Sequence, residues 1–385
     1  MSYRRMFVVT AMMLGCCIAT VSVCGGKPDV SAKTDSREGF IVHEWGTLST
    51  FSGSNGTYLK FYPDDHDLPG FVYNRKRYIK GGLPDVFVSL ETPVLYFYTD
   101  REMTASVRVD FPKGRMTEWY PQASRPPIDG LIWDNIKITP GSQVKLPSEA
   151  GKSRYYAARE TDAAPVRVAA GKDKSEQEKF LFYRGVGDFA MPLTVRARGK
   201  GEFTVKNSAK EALPAFLLVR VQGGKVRFKT VSHLSAGAEA TVQESAEDST
   251  VEKLGATMIE LLMREGLYEK EARAMVKTWS SDWFSEEGTR ILYLVPPSVT
   301  NALLPLRIAP QPSALVRVLV GRHDILTPER EDAIDLLVKE LASPSNTEAR
   351  AADEAMNRWG RYREPVVNAA RARLKAQKTP QATRK

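Results

Sequence analysis

His43, Glu44 and Trp45 stand together in the run Phe40-Ile41-Val42-His43-Glu44-Trp45-Gly46-Thr47, a base and an acid set among apolar residues. A histidine beside a carboxylate can exchange protons in a hydrolysis or ligate a metal ion. A zinc helix of the His-Glu-x-x-His kind needs a second histidine at 47, where the chain has Thr47, and Phe40, Ile41 and Val42 favour a strand. In a strand His43 and Trp45 share one face with Ile41, while Glu44 falls on the other with Val42 and Gly46. Two readings follow. Either the pair is hydrogen-bonded within a sheet, or a bulge, twist or sheet end brings both side chains to one cleft as catalytic groups.

Other charged residues also sit inside apolar runs, where an unpaired charge is costly. Glu91 lies in Leu90-Glu91-Thr92-Pro93-Val94-Leu95, and Glu118 precedes Trp119-Tyr120. Arg159 and Asp162 follow Tyr155-Tyr156-Ala157-Ala158, and Arg184 closes Phe180-Leu181-Phe182-Tyr183. If these converge, Arg159, Asp162 and Arg184 form a binding set with the arginines on an anionic group, and Glu91 or Glu118 works with Glu44 in acid and base roles. The alternative is that they pair among themselves as buried arginine–carboxylate bridges. Trp45, Trp119, Tyr120 and Trp133 either stack on a bound sugar or fill cores.

Motifs for other chemistries are missing or incomplete. Asp64-Asp65-His66-Asp67 lacks the glycine and closing glutamate of a calcium loop, and its flanking Pro63 and Pro69-Gly70 point to a solvated turn. His233 and His323 are isolated among only four histidines. Gly185-Val186-Gly187 has no following helix or phosphate lysine, and no G-x-S-x-G elbow occurs. The sequence identifies neither a cofactor nor a metal.

Compartment is the clearest statement. Arg4 and Arg5 precede an apolar run over 6–23 that ends in Cys24-Gly25-Gly26, the pattern of a bacterial export signal. Cleavage near 24–26 and lipid attachment at Cys24 are both open routes, although Val23 departs from the small residue that a lipobox prefers before its cysteine. Cys16, Cys17 and Cys24 are the only cysteines, so after processing no disulfide framework and no thiol nucleophile are expected. No second run is long enough to span a bilayer, so no transmembrane segment is expected after signal removal. The formal charge is +9, but residues 358–385 hold nine Lys or Arg against Glu364 alone, which leaves the body close to neutral. An envelope polymer, an anionic membrane surface or a protein partner suits such a tail; nucleic acid does not.

The elements that must position these residues read as α+β: an antiparallel β-sandwich-like body over 39–245, a mixed α/β segment over 246–326 and a helical cap over 327–377. A signal over 1–25 and a linker over 26–38 precede them, and a basic tail follows over 378–385. Strands are expected over 40–47, 85–98, 131–139, 180–184, 193–197 and 202–206, and a hairpin over 216–231 turns at Gly223-Gly224. The runs 106–111 and 116–120 are expected to pair across Pro112-Lys113-Gly114. Ser249-Thr250-Val251-Glu252 is a capping box that opens a helix ended by Gly266, and a second helix runs over 268–279. Strands follow over 290–295 and 314–320, and Thr327-Pro328-Glu329 opens the first of three helices, over 328–342, 346–359 and 364–377.

The last sixty residues weakly resemble one or two HEAT-type helical repeats, which implies no function. Taken together, His43-Glu44-Trp45-Gly46-Thr47, Glu91-Thr92-Pro93, Tyr155-Tyr156-Ala157-Ala158-Arg159 and Val320-Gly321-Arg322 resemble a group of exported bacterial proteins of unassigned activity. That resemblance implies an envelope or secreted setting and transfers no catalytic residue. Two function classes remain: an exported protein that binds a polymer or partner protein, and an extracellular or periplasmic hydrolase using His43, Glu44, Glu91 and Glu118 around arginines, with or without a metal.

Overall fold

The computed structural model describes residues 39–61, 67–75 and 86–378. The export segment with Cys24, the linker, Asp64, Asp65, His66 and the end of the basic tail lie outside them.

Seventeen strands occur among the described residues. The first six are β1 (Ile41–Ser52), β2 (Tyr73–Asn74), β3 (Val88–Tyr98), β4 (Met103–Asp110), β5 (Gly114–Tyr120) and β6 (Gly130–Ile138). Next come β7 (Val166–Ala169), β8 (Ser175–Glu178), β9 (Leu181–Gly187), β10 (Leu193–Gly199), β11 (Glu202–Asn207) and β12 (Phe216–Gln222). The last are β13 (Lys225–Val231), β14 (Glu239–Gln243), β15 (Gly288–Leu294), β16 (Leu306–Ala309) and β17 (Ala314–Ile325). The helices are α1 (Val251–Arg264), α2 (Glu269–Ser280), α3 (Pro297–Leu303), α4 (Pro328–Glu340), α5 (Asn346–Asn357) and α6 (Arg363–Lys378).

The fold class is α+β. A nine-stranded sheet in the order β13-β12-β15-β17-β1-β3-β9-β5-β2 dominates it. A five-stranded sheet, β16-β4-β6-β7-β8, and a three-stranded one, β10-β11-β14, accompany it. One face of the large sheet, through Val42, Leu48, Leu95 and Phe97, shares a core with Val107, Trp133, Val195 and Phe203 of the smaller sheets. Its other face, through Trp45, Val94, Tyr96 and Val318, is covered by Leu254, Met258, Met275 and Trp279 of α1 and α2. A third cluster joins Phe51, Phe61 and Leu326 to Ile334, Met356 and Val366 of the C-terminal helices. The alternation along β1 explains this layering, because residues two apart in a strand face the same side.

Helix starts follow their caps. Thr250 Oγ1 accepts from the Lys253 N–H at 3.1 Å, one residue later than the expected box at Ser249. Thr327 caps α4 in the same way, with a proline at its start. The Gly223-Gly224 hairpin forms as expected between β12 and β13.

Strand partners depart from expectation in two places. β1 pairs in parallel with β17, Ile41 opposite Ala314 and Ser52 opposite Ile325. β15 and β17 therefore complete the sheet that begins at 41, while β16 joins the five-stranded one, and the division expected near 245 does not separate two sheets. The expected hairpin of 106–111 with 116–120 does not form: β4 pairs with β6 and β16, while β5 pairs with β9 and β2. The turn between them carries the chain from one sheet to the other. A Cβ at Gly114 would lie 2.3 Å from the Phe111 ring, so the turn folds back over that ring only with glycine. Short polar strands such as β8, Ser-Glu-Gln-Glu, escape a reading based on apolar alternation.

Candidate functional site

On the helix-covered face of the large sheet, the strands change from apolar to polar along their length. β17 runs Val318, Val320 and then Arg322, Asp324; β15 runs from Leu294 and Leu292 to Arg290. β1 passes from Trp45 to Thr47 and Ser49, β3 from Val94 to Glu91, and β9 from Phe182 to Arg184. Register brings the polar ends side by side: Arg290 opposite Asp324, Ser49 opposite Arg322, Thr47 opposite Glu91, and Glu118 of β5 opposite Arg184. Six neighbouring strands thus contribute to one buried ionic belt across the sheet, between the core under α1 and α2 and the core under the C-terminal helices.

Side chains from four connecting segments close the belt. Arg322 Nε donates to Asp324 Oδ2 at 2.6 Å, and its guanidinium also holds Glu286. Arg290 donates to Asp324 Oδ1 at 2.9 Å and to the carbonyls of Trp283 and Glu286. Arg361 donates to Glu91 Oε1 at 2.7 Å, and Ser49 Oγ to Glu91 Oε2 at 3.0 Å. Arg184 grips Asp67 with two hydrogen bonds, 2.8 and 2.6 Å, while Arg154 bridges Asp67 at 2.8 Å to Asp282. Arg154 also lies over the Trp279 ring, 4.4 Å from its centroid. Five arginines therefore meet five carboxylates, and their pairing offsets the cost of burial. Burial pushes the Glu91 carboxyl up, but the charges of Arg361, Arg154, Arg184 and Arg322 outweigh it and hold the group below the usual carboxylate range. Asp67 and Asp324 are held low in the same sense by their arginines.

A bulge aims Glu91 into this belt. Trp45 stands opposite Val94 and Thr47 opposite Glu91, so Thr92 and Pro93 are set against Gly46 alone. Thr92 has φ +56°, the left-handed region that a β-branched residue rarely enters. A Cβ at Gly46 would lie 2.8 Å from Pro93 Cα. The glycine of His-Glu-Trp-Gly-Thr and the proline of Glu-Thr-Pro are thus a single packing feature. Gly46→Ala is expected to cost about 1–3 kcal/mol through this clash. A urea midpoint that falls with an unchanged denaturant slope would bear this out; a wild-type midpoint would refute the tight contact.

The remaining sequence candidates lie apart from the belt in closed pairs. His43 Nδ1 meets Glu271 Oε2 at 2.8 Å, and the His43, Tyr98 and Tyr268 rings pack in one three-way cluster. Glu271 also accepts from Tyr98 Oη at 2.7 Å and from the Tyr268 N–H at 2.8 Å. On the opposite face Glu44 accepts from Arg317 Nε at 2.6 Å and from Tyr183 Oη. Arg159 binds Glu178 at 2.6 Å and lies over the Tyr156 ring; Asp162 pairs with Lys270 at the surface, 2.7 Å away. Trp45 and Trp133 are fully buried and Trp119 and Tyr120 nearly so, which places these rings in cores, the second of the two alternatives their sequence left open.

Of the eight sequence candidates, then, only Glu91, Glu118 and Arg184 come together. Asp67, read as part of a solvated turn, is instead the shared acceptor of Arg154 and Arg184. Sequence reasoning missed Arg154, Asp282, Glu286, Arg290 and Arg361 as members of the belt, and Asp324 with them. A signal existed for β17, where apolar alternation over Val318 and Val320 continues into Arg322 and Asp324. Among the described residues no group of three or more His, Cys, Asp or Glu side chains is placed to hold a metal ion.

No family model and no curated protein matches the chain. Among solved structures it is similar to the yeast delta-COP-I mu-homology domain, alone and complexed with a Dsl1 WxWxV peptide. Both matches have 7% identity and a TM-score of 0.30, covering 74% of this chain and 98% and 97% of those chains. Likeness of that degree does not establish a common fold.

Proposed function

We propose that this is an exported cell-envelope protein that acts by binding a partner and not by turning over a substrate. The carrying observation is that the candidate acid and base sit on opposite faces of one sheet, each closed by its own partner, Glu271 for His43 and Arg317 for Glu44. General acid–base catalysis needs such groups within reach of one substrate. Burial of Trp45, Trp119 and Trp133 favours a protein partner over a stacked sugar polymer. The basic residues of α6 and beyond supply attraction to an anionic envelope surface.

His43→Ala and Glu44→Gln are each expected to lower stability by about 1–3 kcal/mol, because each leaves a buried partner unsatisfied. Urea melts check this. Near-wild-type melts together with loss of a hydrolytic activity present in the unaltered protein would overturn the reading. Envelope fractions should yield a chain beginning between Cys24 and Lys27, and a cytosolic chain that retains Met1 would overturn export.

A further inference from the structure

Beside the belt, a cavity of about 410 Å³ lies between Glu286–Gly288, the end of β17 and the last turn of α5. Phe51, Ile325, Leu326 and Tyr362 give it an apolar lining. Its polar groups fall into two sets. The carboxylates are engaged: Asp324 by Arg290 and Arg322, Glu286 by Arg322, and Glu287 by the Gly224 N–H at 3.2 Å. The two arginines at its edge are not. Arg330 is half-buried over the Trp359 ring, 4.9 Å from its centroid, and its guanidinium makes no hydrogen bond or ion pair among the described residues. Arg358, next to Trp359, is exposed and equally unpaired among them. Burial pulls the Arg330 pKa down, with Glu287 near enough to oppose the shift but not hydrogen-bonded to it.

A guanidinium stacked on an indole keeps its N–H edge free for a planar acceptor, and a carboxylate matches that edge with two parallel hydrogen bonds. The volume lies within the range of small-ligand sites, which join an apolar lining to a few placed polar groups. We propose that this cavity binds a small carboxylic acid with an apolar body, its carboxylate held by Arg330 and Arg358 and its body against Phe51, Ile325 and Leu326. The apolar lining argues against a bare inorganic anion. A free organic acid and the C-terminal carboxylate of a peptide share this chemistry. The proposal does not rest on the partner-binding reading above.

Calorimetric titration of the whole exported chain with hexanoate and hexanamide, and with N-acetyl-Ala-Leu as acid and as C-terminal amide, tests it. At least one acid should bind, with its amide weaker by about tenfold or more, since a charge-assisted pair is lost. Hexanoate binding alone assigns a free acid as the source; peptide acid binding alone assigns a C-terminus. Arg330→Gln should weaken the acid by about tenfold or more and abolish the difference between acid and amide. If that variant does not fold, the exposed Arg358→Gln should show the same direction of change. Failure of both acids to bind, equal binding of acid and amide, inorganic phosphate binding as tightly as the acids, or wild-type affinity in a folded Arg330→Gln would each overturn the proposal.

Discussion

Lowering the pH from 7 to 4 is expected to remove about 3 kcal/mol of folding stability through His323 alone. The ring is buried, with Nδ1 against Thr50 Oγ1 at 2.8 Å and Nε2 against Ser52 Oγ at 3.0 Å, and Tyr58 packs beside it. Burial drives its pKa down to about 4, against the opposing charge of Asp324. In the unfolded chain a histidine takes up its proton near 6.5. Between those values the unfolded state binds more protons than the folded state, so stability falls as the pH falls. Below pH 4 the same direction continues for a different reason. Glu91, Asp67 and Asp324 have folded pKa values held below the usual carboxylate range, so the stability they contribute is present above about pH 4 and lost as pH falls through those lower values. Urea midpoints measured across this range should slope steadily. His323→Asn should flatten the part between 6.5 and 4 and leave the more acidic part in place. A wild-type protein equally stable at pH 7 and pH 4 would show that His323 is not buried as described.

The largest loss from a single substitution is expected for Arg322→Met, about 3–5 kcal/mol. Arg322 is fully buried, pairs with Asp324 and Glu286 on one side, and stands 3.9 Å from Asp282 on another. Removing it leaves three carboxylates short of a cation, and the remaining charge, not the lost contact, dominates the cost. Arg322→Lys keeps the charge but not the fork that spans both oxygens of Asp324, and should recover only part of the loss. A paired replacement, Arg322→Met with Glu286→Gln, should be less destabilised than the single Met variant, because it removes with the cation a carboxylate that pairs with it alone among the described residues, whereas Asp324 must stay for Arg290. Thermal or urea unfolding of the three variants measures this. An Arg322→Met protein within about 1 kcal/mol of wild type would mean that pairing in the belt contributes little to the fold.

Local order is what the sequence by itself determined. Runs of apolar and aromatic residues mark β1, β3, β12 and β17, Thr327 places the start of α4 and Ser249-Thr250 that of α1 to within one residue, and the period of a strand sends His43 and Glu44 to opposite faces. Each of these signals is complete within a few residues, since it rests on side-chain direction or on a backbone N–H finding a nearby acceptor. The pairing of β1 with β17, the separation of β4 from β5 and the membership of the belt were decided by the tertiary structure. Glu91 and Arg361 are 270 positions apart, and His43 and Glu271 are 228 apart. Ion pairs of that range need only opposite charge and proximity, and proximity is a property of how the sheet closes. Arg184 shows both sides: its place at the polar end of an apolar strand was legible, whereas its partner Asp67 was not, because a loop aspartate looks the same in sequence whether it faces solvent or a buried guanidinium.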